Sequence, residues 1–172
     1  VDEARSLIAS LHGRPFAWDM ETDGLDPYKI TRRALSLADD RMAYWLPEAV
    51  TDAVKRDFVE LLRDPTSEPR GSNTKYDLKV VATWGLGFEP TQCSSVDTQV
   101  LHWLWHPDDY QHGLKRITRG LLKRDVLELD DATKVLTDRN CRPVYYGEMD
   151  IAVFEKVRSL LDEGNLEAVM RL

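Results

Sequence analysis

Asp19 and Glu21 end an apolar run, Phe16-Ala17-Trp18, and only Met20 separates them. Side chains alternate between faces along an extended strand, so both carboxylates point the same way. Two like charges about 4 Å apart repel by about 4 kcal/mol at an effective dielectric of 20. Once buried, such a pair must take up a proton or a cation. The chemistry on offer is that of a hard-metal site; the competing reading is a strand running out into a solvated acidic turn.

Two more acids sit where apolar residues belong. Asn73, Asp77, Val81 and Trp84 fall on one stripe of a helix, which puts Asp77 at a core position. In a later segment Val153, Phe154, Val157, Leu160 and Leu161 make an apolar stripe that Asp150 and Tyr146 extend toward the N-terminus. Either acid alone could be a cap, or a charge favoured by the helix dipole. Recurrence of the same oddity in one small chain favours a shared site.

Several elements must position these groups. The pattern predicts a helix over Ala4–Leu11, a central strand over Pro15–Glu21, and a hairpin of Ala34–Ala38 with Met42–Leu46 turning at Asp39-Asp40. From Val50, the residues Ala53, Val54, Phe58, Leu61 and Leu62 keep helical period, with Asp52, Lys55, Arg56, Glu60 and Arg63 opposite, until Pro65. A loop to Ser72, the Asp77 helix, a short strand near Ser94–Val96 and a helix from Asp97 to Pro107 follow. Strands and helices at this spacing predict an α/β domain, with no internal repeat.

At 172 residues the chain suits one domain, 1–172, with a real core. A formal charge of −7 and pI near 5.1 argue against tight, sequence-independent binding along duplex DNA. Cys93 and Cys141 have no C-x-x-C spacing, so neither zinc nor a disulfide scaffold is indicated. No apolar run approaches a membrane span, so no membrane partner is expected and a cytoplasmic location is. The opening on Val1 and the amphipathic close at Asp162–Leu172 suggest a piece of something longer.

Asp19-x-Glu21, Asn73-x-x-x-Asp77 and Tyr146-x-x-x-Asp150, in that order, resemble the three motifs of the DEDD superfamily of 3′–5′ exonucleases, tyrosine branch. With their flanks FAWDMETDGLDP, GSNTKYDLKVVATWGL, DTQVLHWLWHPD and YYGEMDIAVFEKV, they are most similar to the proofreading exonuclease domain of bacterial and phage family A DNA polymerases. The resemblance runs from about Arg14 to Leu161. It implies a ribonuclease H-like fold, a mixed central sheet flanked by helices, in the cytoplasm of a bacterial cell or phage-infected host. It also implies a polymerase domain in the same parent chain and, as substrate, a single-stranded or frayed DNA 3′ end. Two divalent ions, Mg²⁺ or Mn²⁺, would serve hydrolysis of the terminal phosphodiester. By the same resemblance Asp19 bridges both ions, Glu21 and Asp150 complete the water-activating site, and Asp77 serves the second ion through water. Tyr146 orients the attacking water, its ordinary pKa of about 10 making it a poor base; Tyr145 lacks the four-residue spacing to Asp150. Leu25 matches a leucine that wedges beside the terminal base, with plain core packing as its alternative. Thr22 and Asn73 match positions that contact the terminal nucleotide.

Other signals are weaker. Lys115, Arg116, Arg119, Lys123 and Arg124 could meet phosphates or be a solvated face. The family's aromatic for the second base has no counterpart in Lys123–Pro143. His102 and His106 have ligand spacing, but Trp103 stands where H-E-x-x-H has its glutamate, so structural histidines are expected. Trp18, Trp45, Trp84, Trp103 and Trp105 are expected in the core rather than as stacking platforms. Two alternative functions stand beside the first. A ribonuclease D-like RNA exonuclease would usually bring a more basic surface; a non-catalytic module of a polymerase would not need to keep mutually repelling acids.

Overall fold

The computed structural model describes residues 1–123. Tyr145, Tyr146, Asp150, Cys141, Arg124 and the predicted helix through Leu161 lie outside the described residues.

Helix α1 (Asp2–Ser10) leads into strands β1 (Pro15–Thr22), β2 (Arg33–Ala38) and β3 (Ala43–Leu46). Helix α2 (Glu48–Arg63), strand β4 (Glu68–Gly71) and helix α3 (Thr74–Ala82) follow. A 3₁₀ turn (Pro90–Gln92), strand β5 (Val96–Asp97) and helices α4 (Thr98–Trp105) and α5 (Leu114–Ile117) come next, α5 continuing into a π-helical turn (Thr118–Leu122). The five strands form one sheet in the order β3-β2-β1-β4-β5. β1 runs antiparallel to β2 and parallel to β4, β2 antiparallel to β3, and β4 parallel to β5. This is the mixed sheet of a ribonuclease H-like α/β fold, and its middle strand carries Asp19. Among the described residues no helix is long and apolar enough to cross a membrane.

Alternation along β1 divides its work. Phe16, Trp18 and Met20 are buried in the main core, leaving Ala17, Asp19 and Glu21 for the opposite face. Helix α2 closes the core with Val54, Phe58, Leu61 and Leu62, the amphipathic face its sequence predicts. Phe58 meets Trp18 edge-on, with ring centroids 5.4 Å apart, and Trp84 at 6.1 Å. The strand bearing the acids is thus clamped from behind by large rings.

Three sequence expectations need correcting. The predicted loop before Ser72 contains β4. Its Pro69 is tolerated because the Glu68 amide already donates to the Arg14 carbonyl on the β1 side. The missing Pro69 N–H therefore faces β5, whose ladder starts only at Arg70 opposite Val96. Trp45 and Trp103 are 47% and 54% exposed, unlike core residues Trp18 and Trp84. Trp45 lies on edge strand β3 with the face opposite Leu46 open, and α4 buries only Thr98 and His102. Helix α3 begins at Thr74, so Asn73 precedes the predicted stripe as its N-cap, in the left-handed region at φ 60°.

Gly71 ends β4 where space is tightest. A Cβ there would lie 2.7 Å from Thr74 Cγ2 and 2.9 Å from the Trp18 carbonyl oxygen. Only glycine lets β4, β1 and the start of α3 converge beside Asp19.

Candidate active site

Asp19 stands opposite Ser36 of β2, whose hydroxyl donates to the Asp19 carbonyl at 3.3 Å. The backbone is thereby fixed while the carboxylate projects from the middle of the sheet. Burial first, then the neighbouring Glu21 charge, push the Asp19 carboxyl up to about 7, against a pull from the Met20 amide. Glu21, at the exposed rim, is also raised, by partial desolvation. Deficient charge compensation is what the two-residue spacing predicts.

The third acid comes from α3. Asp77 is 4% exposed, and its Oδ1 accepts the Met20 amide at 3.3 Å. The contact brings Asp77 to the residue lying between Asp19 and Glu21. Asp97 sets the start of α3: its Oδ1 accepts the Asn73 amide at 3.1 Å, and its Oδ2 the Thr74 amide at 2.9 Å. The same Oδ1 accepts the Gln99 amide at 2.9 Å, capping α4. One carboxylate thus satisfies amides at the N-termini of two helices. Nothing in the sequence marks Asp97 beyond the start of α4, because Asn73 and Thr74 are remote along the chain.

Beyond Glu21, the Tyr76 hydroxyl donates to the Gly24 carbonyl at 2.6 Å and lies 2.7 Å from Thr22 Oγ1, which is itself 2.9 Å from the same carbonyl. The following loop is closed by Asp23, which accepts the Thr31 amide at 3.0 Å and the Thr31 hydroxyl at 2.5 Å. Those hydrogen bonds hold the Asp23 carboxyl down at about 2. Leu25 projects from this braced loop 95% exposed, which removes its core-packing alternative. Tyr76, missed in the sequence, is the residue beside Asp77 that ties the loop to α3.

A cavity of about 660 Å³ opens in front of Asp19. Lys115, Arg116 and Arg119 line it, so these members of the predicted basic cluster share a cavity with Asp19. Tyr110 and His112 line it too. His102 is 5% exposed, and its Nδ1 lies 2.8 Å from His112 Nδ1, in agreement with the structural role expected of it. Burial, then His112 and His106, hold the His102 imidazole below its ordinary pKa. Cys93 is a free, half-buried thiol, pushed up to about 11 by burial.

Asp19, Glu21 and Asp77 offer the hard oxygen donors that Mg²⁺ and Mn²⁺ prefer, and a cation beside Asp19 would offset the burial, and then the Glu21 charge, that retain its proton. Among the described residues no group of three or more His, Cys, Asp or Glu converges closely enough to hold an ion by itself. Asp150 and Tyr146, the rest of the predicted set, lie outside the described residues.

The 3′–5′ exonuclease family of the DNA polymerase A type matches the chain over residues 1–152. No curated protein is a significant match. Among solved structures, the apo form of a nuclease superposes at TM-score 0.67 with 22% identity, over 95% of this chain and 81% of that one. The catalytic core of RRP6 from Trypanosoma brucei superposes at 0.69 with 14% identity, over 99% of this chain and 48% of that one. The POL domain of Pol1 from M. smegmatis, in complex with DNA primer-template and dNTP, superposes at 0.69 with 17% identity, over 99% and 28%. At these identities the likeness is one of fold.

Proposed function

From the premise that this chain belongs to the 3′–5′ exonuclease family of the DNA polymerase A type, we propose that it removes nucleotides from single-stranded or frayed DNA 3′ ends, as a proofreading domain within a longer polymerase chain. The observation that carries this reading is the Asp19 carboxyl. It is held at about 7 on the middle strand, with Asp77 keyed to the adjacent Met20 amide and a cleft lined by Lys115, Arg116 and Arg119 in front.

Asp19, Glu21, Asp77 and Asp150 are the residues that would hold two divalent ions, Mg²⁺ or Mn²⁺. When bound, these ions supply water activation and stabilisation of the charge developing on the phosphate. The chain's own residues do the rest. Tyr146 orients the attacking water through its hydroxyl. Thr22 and Asn73 contact the terminal nucleotide, Leu25 flanks its base, and the basic wall receives backbone phosphates. Matched duplex must melt before its end can enter, at about 1.4 kcal/mol of stacking for each opened step. Single strands and mismatched ends are therefore degraded faster.

The test is timed digestion of 5′-labelled single-stranded DNA, matched duplex, 3′-mismatched duplex and RNA, with Mg²⁺ and with chelator. Stepwise loss from the 3′ end, dependent on the metal and faster on single-stranded and mismatched DNA, is expected. Equal rates on all DNA ends would overturn proofreading, and a strong preference for RNA would favour the ribonuclease D-like alternative.

A further inference from the structure

The connection between α4 and α5 brings two imidazoles together. His102 of α4 is buried, and its backbone carbonyl accepts the His106 amide at 2.7 Å. His112, half-buried just ahead of the α5 N-cap Gly113, meets it edge to face, with ring centroids 5.0 Å apart and Nδ1 atoms 2.8 Å apart. At that separation one Nδ1 carries a hydrogen and the other presents its lone pair. Two imidazolium rings could not keep the contact, because both Nδ1 atoms would then be donors. One extra proton is compatible with it, provided that it goes to Nε2 of the donating ring. The surroundings decide which ring that is. Burial, then His112 and His106, work against a charge on His102, with Arg116 adding to them and Asp109 opposing. His112 instead lines the cavity shared by Asp19, Lys115, Arg116 and Arg119.

We infer that His112 is a phosphate-contacting residue that becomes charged on binding: when a phosphodiester enters the cavity, His112 Nε2 takes a proton from solvent and His102 Nδ1 stays its neutral acceptor. The role rests on the proposed exonuclease reading. Imidazole is the side chain that changes charge near neutral pH, and an anion beside it favours the cationic form. In the empty cavity Lys115, Arg116 and Arg119 oppose a further positive charge. An entering phosphate reverses that balance. The hydrogen bond to His102 then becomes charge-assisted, and so stronger than one between neutral rings. His102 is a positioning residue, giving His112 a fixed acceptor without competing for the charge. His106 lines a second cavity, with Asp108 and Asp109, and serves as the control.

The experiment counts protons as well as affinity. Every binding sample carries Asp19→Asn, which removes the other group of that cavity held near neutrality. Binding of fluorescein-labelled hexathymidylate in chelator is followed by anisotropy from about pH 5.5 to 8.5, and proton uptake by calorimetry in two buffers of different ionisation enthalpy. Affinity is expected to fall with rising pH by up to about tenfold per unit, the limit for one linked proton. Adding His112→Gln should abolish the uptake, flatten the profile and weaken acid-side binding by roughly 10–150-fold, the scale of one hydrogen bond to a charged group. His102→Leu should weaken acid-side binding too, and His102→Asn, whose amide oxygen can still accept from His112, should restore it. His106→Gln should keep the uptake. Uptake that persists in His112→Gln, an equal loss in His106→Gln, or equal affinity of the Leu and Asn variants at His102 would each overturn the inference. Linked binding that depends on His112, without metal-dependent hydrolysis by the wild type, would refute the exonuclease reading while upholding the inference; hydrolysis without linked binding would do the reverse.

Discussion

The Asp77 carboxylate receives the Met20 amide at 3.3 Å, so helix α3 is keyed to the residue that separates Asp19 from Glu21. An acid from the second motif is thereby set in place by the backbone of the first, before any ion or nucleic acid arrives.

Asp19→Asn should abolish metal-dependent hydrolysis while stabilising the metal-free protein at neutral pH. The Asp19 carboxyl has its ordinary value near 3.8 when unfolded and about 7 when folded. Folding therefore favours its protonated form: that contribution is complete below pH 4 and is lost as pH rises to 7, at about 1.4 kcal/mol per unit at most. Melts in chelator from pH 4 to 8 should show the variant gaining on wild type across that window and level above it. A constant difference at every pH would mean that Asp19 is not the titrating group.

Gly71→Ala should destabilise the fold by about 1–3 kcal/mol, the usual cost of overpacking. The new Cβ would meet Thr74 Cγ2 at 2.7 Å and the Trp18 carbonyl at 2.9 Å. Adding Thr74→Ser removes the first clash and leaves the second. Denaturant unfolding of the double variant should therefore recover only part of the loss, and full recovery would show that the Trp18 carbonyl can yield.

Tyr76→Phe removes the hydroxyl shared with Gly24 and Thr22 while leaving Asp77 in place. One such hydrogen bond is worth about 0.5–1.5 kcal/mol. Loosening of the loop that carries Leu25 should raise KM for single-stranded 3′ ends by about 2–10-fold and leave kcat near wild type. A fall in kcat at constant KM would place Tyr76 in the chemistry instead.

Tyr146→Phe should cost roughly 10–100-fold in rate, about 1.4–2.7 kcal/mol, and less than Asp150→Ala, because one orienting contact is lost and no ion ligand. Tyr145→Phe should be close to neutral. If Tyr145→Phe is the damaging change in single-turnover assays, the register of the third motif is shifted by one.

Much of the site was legible because it breaks local rules. Acids at apolar positions of β1 and α3 stand out against hydrophobic period, and the structure keys Asp77 to the Met20 amide between Asp19 and Glu21. Features built from contacts remote in sequence were not legible. Asp97 serves Asn73 and Thr74, and Tyr76 reaches back to Thr22 and Gly24, pairings that no local pattern encodes. Pro69 disguised β4, because a proline is permitted where the neighbouring strand has not begun. Trp45 and Trp103 misled in the other direction, since composition cannot say which face of an edge strand or end helix stays open.

The Asp97 carboxylate, shared between the starts of α3 and α4, also ties two elements into a single unit of motion. The Asn73, Thr74 and Gln99 amides all end on its two oxygens, so displacement of Asp97 frees all three at once. Their hydrogen–deuterium exchange should proceed through a common opening, with matched free energies and a matched response to denaturant. That opening would carry Asp77 away from Met20, and the cleft would come apart as one piece rather than group by group.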